Sequence, residues 1–262
     1  MLHIEGQAFA YEAAGLFLSD DPWLHPNRII DTHELICMAE GTAHLYEGET
    51  RYALQTGDAL LLRPGVPHGG AEESLGRTSF YWAHFRVERL ETLFVQPGLC
   101  AGQGYRFFEG FQRLLHVANT PDAPAYAADA AMAALLAELS LAQREAVAAR
   151  RKLIGDAVEW IRIHSDRRLT AAEVAAHFGY HPDALSALFR AHLRAGLKET
   201  VNRERMRRVK HLLLTTNLSV KQVADRLGWD NENQFIHYFR YHQGVGPARF
   251  RDTFFHTHLN RK

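Results

Sequence analysis

Cysteine is nearly absent from this sequence: Cys37 and Cys100 are the two among 262 residues, and they form no CxxC pair. A disulfide framework and a thiolate metal site are thereby excluded, and a reducing compartment fits. Long apolar runs are absent too. None approaches the roughly 18 residues needed to cross a bilayer, and the opening MLHIEGQAFAYEAAG has no basic stretch leading into an apolar core. These absences predict a soluble, unexported, cytoplasmic chain with no membrane partner. Net charge is absent as well, with 30 Lys+Arg against 30 Asp+Glu.

What is present is ordinary globular material. Apolar residues make up 47% and charged residues 23%, values that exclude a disordered or fibrous protein, and the length suits two domains of about 100 to 150 residues. The zero net charge conceals a division. Residues 1–150 hold 10 Lys+Arg and 19 Asp+Glu, or −9, while residues 151–262 hold 20 and 11, or +9. Such asymmetry points to a polyanion as the partner of the basic half.

From Arg28 to Val87 the chain reads as short strands. LICM, AHLYEG, RYALQTGDALLLRPG and TSFYWAHFRV are apolar or alternating runs separated by Gly41, Gly48, Gly57 and Pro64-Gly65, as in an antiparallel sandwich or barrel. In SFYWAHF, Phe80, Trp82 and His84 share one face, and Tyr81, Ala83 and Phe85 share the other. Helical periodicity begins after Tyr105 with RFFEGFQRLLHVA and continues in the Ala/Leu-rich stretch from 127 to 151. There Met132, Leu135, Leu136, Leu139 and Leu141 offer an apolar face, to be buried on the same domain or against a second subunit.

Beyond Lys152 the sequence is helical and contains a repeat. LTAAEVAAHFGYHPDALSALFRAHL overlays LSVKQVADRLGWDNENQFIHYFRYHQ, pairing Thr170 with Ser219, Ala175 with Ala224, Gly179 with Gly228, and Phe189 with Phe239. Each copy has a capping hydroxyl, a short helix with a small Ala inside, a Gly break and a second helix. That is the pattern of a helix-turn-helix, whose second helix reads the DNA major groove. In the second copy Trp229, Phe235, Tyr238 and Phe239 fall at packing spacing, leaving Asn231, Glu232, Asn233, Gln234, Ile236, His237 and Arg240 mostly off that face. Asn and Gln bind adenine in a bidentate manner, and Glu accepts from cytosine. Between the copies, LKETVNRERMRRVKHLLLTT is expected to form one helix, with roughly 17 residues spanning about 25 Å, which suits two reading helices about one DNA turn apart.

The segment from Lys152 to Arg251, above all LSVKQVADRLGWDNENQFIHYFRYHQGVGPARFR, resembles the DNA-binding domain of the AraC/XylS family of bacterial transcription regulators. The resemblance implies that Asp183, Ser186 and Ala187 of the first copy, and Glu232, Asn233, Gln234 and His237 of the second, face bases. His181, Arg190, Arg203, Arg207, Arg208 and Arg240 are candidates for phosphate. The first reading helix departs from the family pattern: Asp183 and Ala187 stand where large polar or basic side chains are frequent, so sequence reading is expected to lean on the second copy.

The acidic half is similar to the cupin-like sensor domain that precedes this DNA-binding domain in many members, through His33-Glu34-Leu35, Gly41, Gly57-Asp58, Pro64-Gly65 and Pro67-His68. The fold class expected is multidomain: an N-terminal all-β cupin-like barrel with flanking helices over 1–150, for effector sensing and dimerisation, and a C-terminal all-α domain with two helix-turn-helix motifs over 151–262. Resemblance to sugar-sensing members implies an effector site at Trp82, His68 and His33 with Glu40 near its rim, and a small polar effector, a carbohydrate. His33, His44, His68 and His84 are scattered and form no HxH, so neither a metal nor any other cofactor is expected, and no catalytic residue is assigned. The partners implied are double-stranded promoter DNA, the effector, a second copy of the chain, and RNA polymerase. Two alternatives stand beside this reading: a cupin-type metalloenzyme tethered to DNA, opposed by the missing HxH, and an effector-independent DNA-binding dimer, which a pocket filled by the domain's own side chains favours.

Overall fold

The computed structural model describes residues 2–102 and 104–258, without the side chains of 105 and 255–258. Its contacts divide the chain into two compact units, Met1–Val147 and Ala148–Lys262. Among the described residues of the first, the strands are β1 Leu2–Ile4, β2 Gln7–Ser19, β3 His33–Glu40, β4 Thr42–Glu47, β5 Thr50–Gln55, β6 Ala59–Leu62, β7 His68–Glu72, β8 Thr78–Val87 and β9 Gly98–Cys100. They form a six-stranded sheet, β1-β2-β8-β3-β6-β9, and a three-stranded sheet, β5-β4-β7. The N-terminal unit is therefore sheet-rich as expected, built as two sheets that, among the described residues, do not close into a barrel.

Alternation along β3 and β8 sorts side chains between two cores. Leu35, Cys37, Ala83 and Phe85 face a core completed by Phe107, Phe111 and Leu114 of α1 (Gly104–Ala118) and by Met132, Leu135, Leu136, Leu139 and Ala142 of α2 (Ala127–Ile163). Ile36, Met38 and Phe80 face the other way, against Ala43, Leu45 and Leu54 of the smaller sheet. Leu141, expected on the buried face of α2, is 48% exposed; at 100° per residue, position 142 continues the stripe set by 135 and 139, and Ala142 fills it. The longest strand, β2, was not among the runs that read as strands. Its QAFAYEAAGLFLS holds four Ala and one Gly, which have little intrinsic strand preference, and its extended form comes from pairing with β8 from Phe9↔Val87 to Ser19↔Thr78.

The second unit is helical: α3 Ala171–His177, α4 Pro182–Leu193, α5 Leu197–Thr215, α6 Val220–Arg226, α7 Glu232–Gln243 and α8 Pro247–His258. It has two small cores. One gathers Ile154, Ala157 and Ile161 from the end of α2 with Val174, Leu185, Phe189 and Leu197. The other gathers Met206, Val209 and Leu213 with Val223, Phe235 and Phe239. The helix α5 has 19 residues and contributes to both cores. Arg251 closes the second, donating from Nε to the Leu213 carbonyl at 2.8 Å and from Nη2 to that of Leu218 at 2.7 Å.

Candidate nucleic-acid interface and effector cavity

Both helix pairs are built by the same local chemistry. Thr170 and Ser219 cap α3 and α6 in reciprocal capping boxes with Glu173 and Gln222, and hydrogen bonds from Arg167 and from Thr170 hold the Glu173 carboxyl down at about 2. Ala175 and Ala224 are fully buried at the helix crossings. Gly179 and Gly228 then take φ of +72° and +68°, a left-handed turn that a side chain disfavours. The reading helices follow, α4 capped by the His181 ring with Pro182 in its first turn, and α7 capped by Asn231.

This geometry sorts the expected DNA-facing residues. Asp183 and Ala187 of α4, and Asn233, Gln234, His237 and Arg240 of α7, are exposed on the side away from the buried Leu185, Phe189, Phe235 and Phe239, and Glu232 is half-buried in the first turn of α7. Asn231 is exposed, but its Oδ1 accepts from the Asn233 N–H at 2.7 Å, so it serves as the helix cap with only its amide NH2 uncommitted. His181 does the same for α4, Nδ1 accepting from the Asp183 N–H at 3.3 Å. Ser186 is half-buried: its Oγ accepts from the Leu197 N–H at 3.3 Å and from Arg190 Nη1 at 3.1 Å, fastening α4 to the start of α5. Its counterpart Ile236 packs on the second core. Tyr241, absent from the sequence reading, is 85% exposed, one helical turn beyond His237. A groove of about 1120 Å³ between the helix pairs collects Arg190, Lys198, Arg203, Arg207 and Lys210 together with Glu199 and Glu204, the latter within 4 Å of Arg203 and Arg207. These cations are suited to phosphate.

In the first unit a cavity of about 340 Å³ lies beside the smaller sheet core. Phe17, Trp23, Phe80 and Trp82 supply its aromatic walls, and His25, Arg28, Glu34 and His84 supply polar groups. The segment carrying Trp23, His25 and Arg28 runs against β7, with Trp23 and Ser74 exchanging backbone bonds of 3.1 and 2.8 Å and Arg28 and His68 exchanging bonds of 2.9 and 3.0 Å. Gly69 and Gly70 permit this approach, because a Cβ would stand 2.1 Å from Asn27 Oδ1 at the first and 2.3 Å from Leu24 Cδ1 at the second.

A connected polar cluster results. Arg28 Nη2 donates to both oxygens of the buried Glu34 at 2.8 Å. His68 Nε2 lies 3.2 Å from Arg28 Nε and 3.5 Å from Glu34, while His68 Nδ1 lies 3.2 Å from the Val66 carbonyl. Thr32 Oγ1 lies 2.8 Å from His84 Nδ1, and His84 Nε2 lies 3.6 Å from Glu34, an arrangement met when Thr32 donates and the His84 proton points to the carboxylate. Burial opposes ionisation of Glu34, but hydrogen bonding by the two histidines and the Arg28 charge outweigh it and hold the carboxyl below the usual range. Burial lowers His25. The Arg28 and Glu34 charges cancel, and the cavity has a hydrogen-bonding wall.

Trp82 lines the cavity, and buried His68 lies behind the wall, 3.2 Å from Arg28. His33 and Glu40 do not belong there. His33 points to the opposite face of the sheet, stacked 5.0 Å from Phe85, where burial lowers it to about 4. Glu40 lies past the β-bulge between Met38 and Glu40 and pairs with Arg77 at 3.1 Å on the exposed end of β3. Among the described residues no group of three His, Cys, Asp or Glu is placed to hold a metal ion. No described helix is long and apolar enough to cross a membrane.

Fold and site together define a helix-turn-helix protein that carries a small-molecule cavity in a separate sheet-built unit. Residues 13–154 match the AraC-like ligand binding domain, and residues 174–253 match a helix-turn-helix domain. The chain is 26% identical over 257 residues to the uncharacterized HTH-type transcriptional regulator YisR of Bacillus subtilis (strain 168), covering 87% of this chain and 88% of that one. It is 25% identical over 215 residues to the arabinose operon regulatory protein of Salmonella typhimurium, covering 77% and 76%. A solved structure, the C-terminal domain of AraT, a response regulator from Geobacillus stearothermophilus, is 28% identical, covering 38% of this chain and 84% of that one with a TM-score of 0.36. The chain belongs to the AraC family of helix-turn-helix transcriptional regulators and has that family's ligand-binding domain.

Proposed function

We propose that the chain is a cytoplasmic, homodimeric regulator whose hold on promoter DNA responds to a small neutral sugar bound in the N-terminal cavity, without turnover of that sugar. The observation that carries this reading is the composition of the cavity: aromatic faces at Trp23, Phe80 and Trp82 beside an Arg28–Glu34 pair whose charges cancel. Aromatic faces suit the C–H faces of a sugar ring, and the neutral polar wall suits hydroxyl groups that both donate and accept. A carboxylate or phosphate ligand, by contrast, meets no net positive charge. The arabinose operon regulatory protein among the relatives supports the same direction. On the DNA side, α7 does most of the reading through Asn233, Gln234 and His237, Arg190 and Arg240 hold phosphates, and RNA polymerase is the further partner through which such binding changes transcription.

The test is a tryptophan-fluorescence titration of the full chain with neutral pentoses and hexoses, sugar phosphates and dicarboxylates. A neutral sugar that saturates wild type, fails with Trp82→Ala, and is recovered unchanged supports the proposal. Preference for the anions, or conversion of the sugar, refutes it.

A further inference from the structure

Arg205, in the middle of α5, is 8% exposed, and among the described residues no carboxylate pairs with it. Its Nη2 donates to the Leu227 carbonyl at 3.3 Å, and its Nε has no acceptor. The guanidinium lies 4.2 Å from the Trp229 ring centre and 5.8 Å from that of Tyr238. Leu227 and Trp229 flank Gly228 in the turn before the reading helix, and Tyr238 is on α7 itself. One side chain on α5 therefore touches both the turn and the helix.

Among the described residues the first helix pair has no such device. Ile154, Ala157 and Ile161 of α2 repeat the spacing of Met206, Val209 and Leu213, which places Leu153 where Arg205 stands. Tyr180, the counterpart of Trp229, is 40% exposed. An apolar residue at 205 would avoid burying a cation with an unbonded N–H, and such replacements are often neutral or stabilising. What the guanidinium adds is direction: a planar face that stacks on indole and a fork that fixes a carbonyl.

We propose that Arg205 is a positioning residue for sequence reading, setting the angle at which α7 presents Asn233, Gln234 and His237 to base edges. Bidentate base contacts require that angle. The inference rests on the reading that α7 is the principal reading helix.

The experiment compares the full-length wild type, Arg205→Met and Arg205→Lys on two probes at one salt concentration. One is the duplex that the wild type enriches from a randomised pool, and the other is a scrambled duplex of the same composition. Arg205→Met should melt at or above the wild-type temperature and hold the scrambled duplex within about twofold, yet lose about tenfold on the enriched duplex, the loss of one good base contact. Arg205→Lys should fail to restore it, because an ammonium has neither the face nor the fork. An unchanged ratio between the two duplexes in Arg205→Met, or a ratio restored by lysine, overturns the proposal. If Arg205→Met does not fold, Trp229→Phe takes its place, with a loss of about threefold from the smaller stacking face in support and an unchanged ratio against. A wild type that enriches no consensus overturns the reading of α7 and this inference together, whereas a wild type that discriminates and variants that discriminate equally overturn this inference alone.

Discussion

At the scale of single residues, one step along β3 separates two fates. His33 and Glu34 are adjacent, but strand alternation sends the first to the helix-covered core and the second to the cavity. The sequence suggests the histidine, because an imidazole in a sensor domain is a plausible ligand group and parity is invisible until the register is known. Glu34→Gln tests the assignment. It leaves Arg28 without its counter-charge and should cost about 1–3 kcal/mol in urea unfolding of the first unit, while shifting ligand preference toward carboxylate-bearing sugars in the fluorescence titration; an unchanged preference would remove Glu34 from the site. His33 gives a separate pH signature. Its folded pKa, about 4, lies below the ordinary 6.5, so the unfolded chain binds the proton first, and the stability contribution is present above pH 6.5 and is lost as pH falls toward 4. His33→Leu should flatten that part of the profile of melting temperature against pH, and a profile superimposable on wild type would contradict it.

At the scale of elements, the helix pairs are legible in the sequence because caps, glycines and small residues are local signals. Thr170, Ser219, Gly179 and Gly228 act where they stand. Ser219→Ala should destabilise α6 by about 1 kcal/mol, seen as faster hydrogen exchange of the amides over 222–227 with exchange over 171–177 unchanged; equal acceleration in both would mean that the two pairs unfold as one. The seam at Ser186 and the caps at His181 and Asn231 are less legible, since a polar residue on a reading helix looks the same whether it bonds its own backbone or DNA. In β2 the partner decides. Gly15 pairs with Trp82, and a Cβ there would stand 2.7 Å from the Trp82 ring. Gly15→Ala should therefore push that ring into the cavity and weaken binding of the proposed ligand roughly tenfold, at a packing cost of about 1–3 kcal/mol; an affinity equal to wild type would show that the ring yields elsewhere.

At the scale of the molecule, the division into an acidic and a basic half and the repeated helix pair are written in composition and spacing, so the family resemblance and the DNA-binding class can be read before any contact is known. The cavity cannot be read that way. Its walls come from residues 17–34 and 80–84, joined by strand pairing and by a segment that two glycines admit beside β7. Charge division carries a consequence that zero net charge would hide. Phosphate affinity depends on the local cations of the half carrying +9, with 20 Lys+Arg against 11 Asp+Glu over 151–262, and counterion release makes that affinity steeply dependent on salt. If the two reading helices and the basic groove together engage about six phosphates or more, binding to a random duplex should fall on the order of 10³-fold between 50 and 200 mM salt. Base contacts release few ions, so the ratio between enriched and random duplex should persist across the same range. A filter-binding series at four salt concentrations measures both. A shallow slope would mean that few phosphates are engaged, and a ratio that collapses with salt would mean that α7 contributes charge rather than reading.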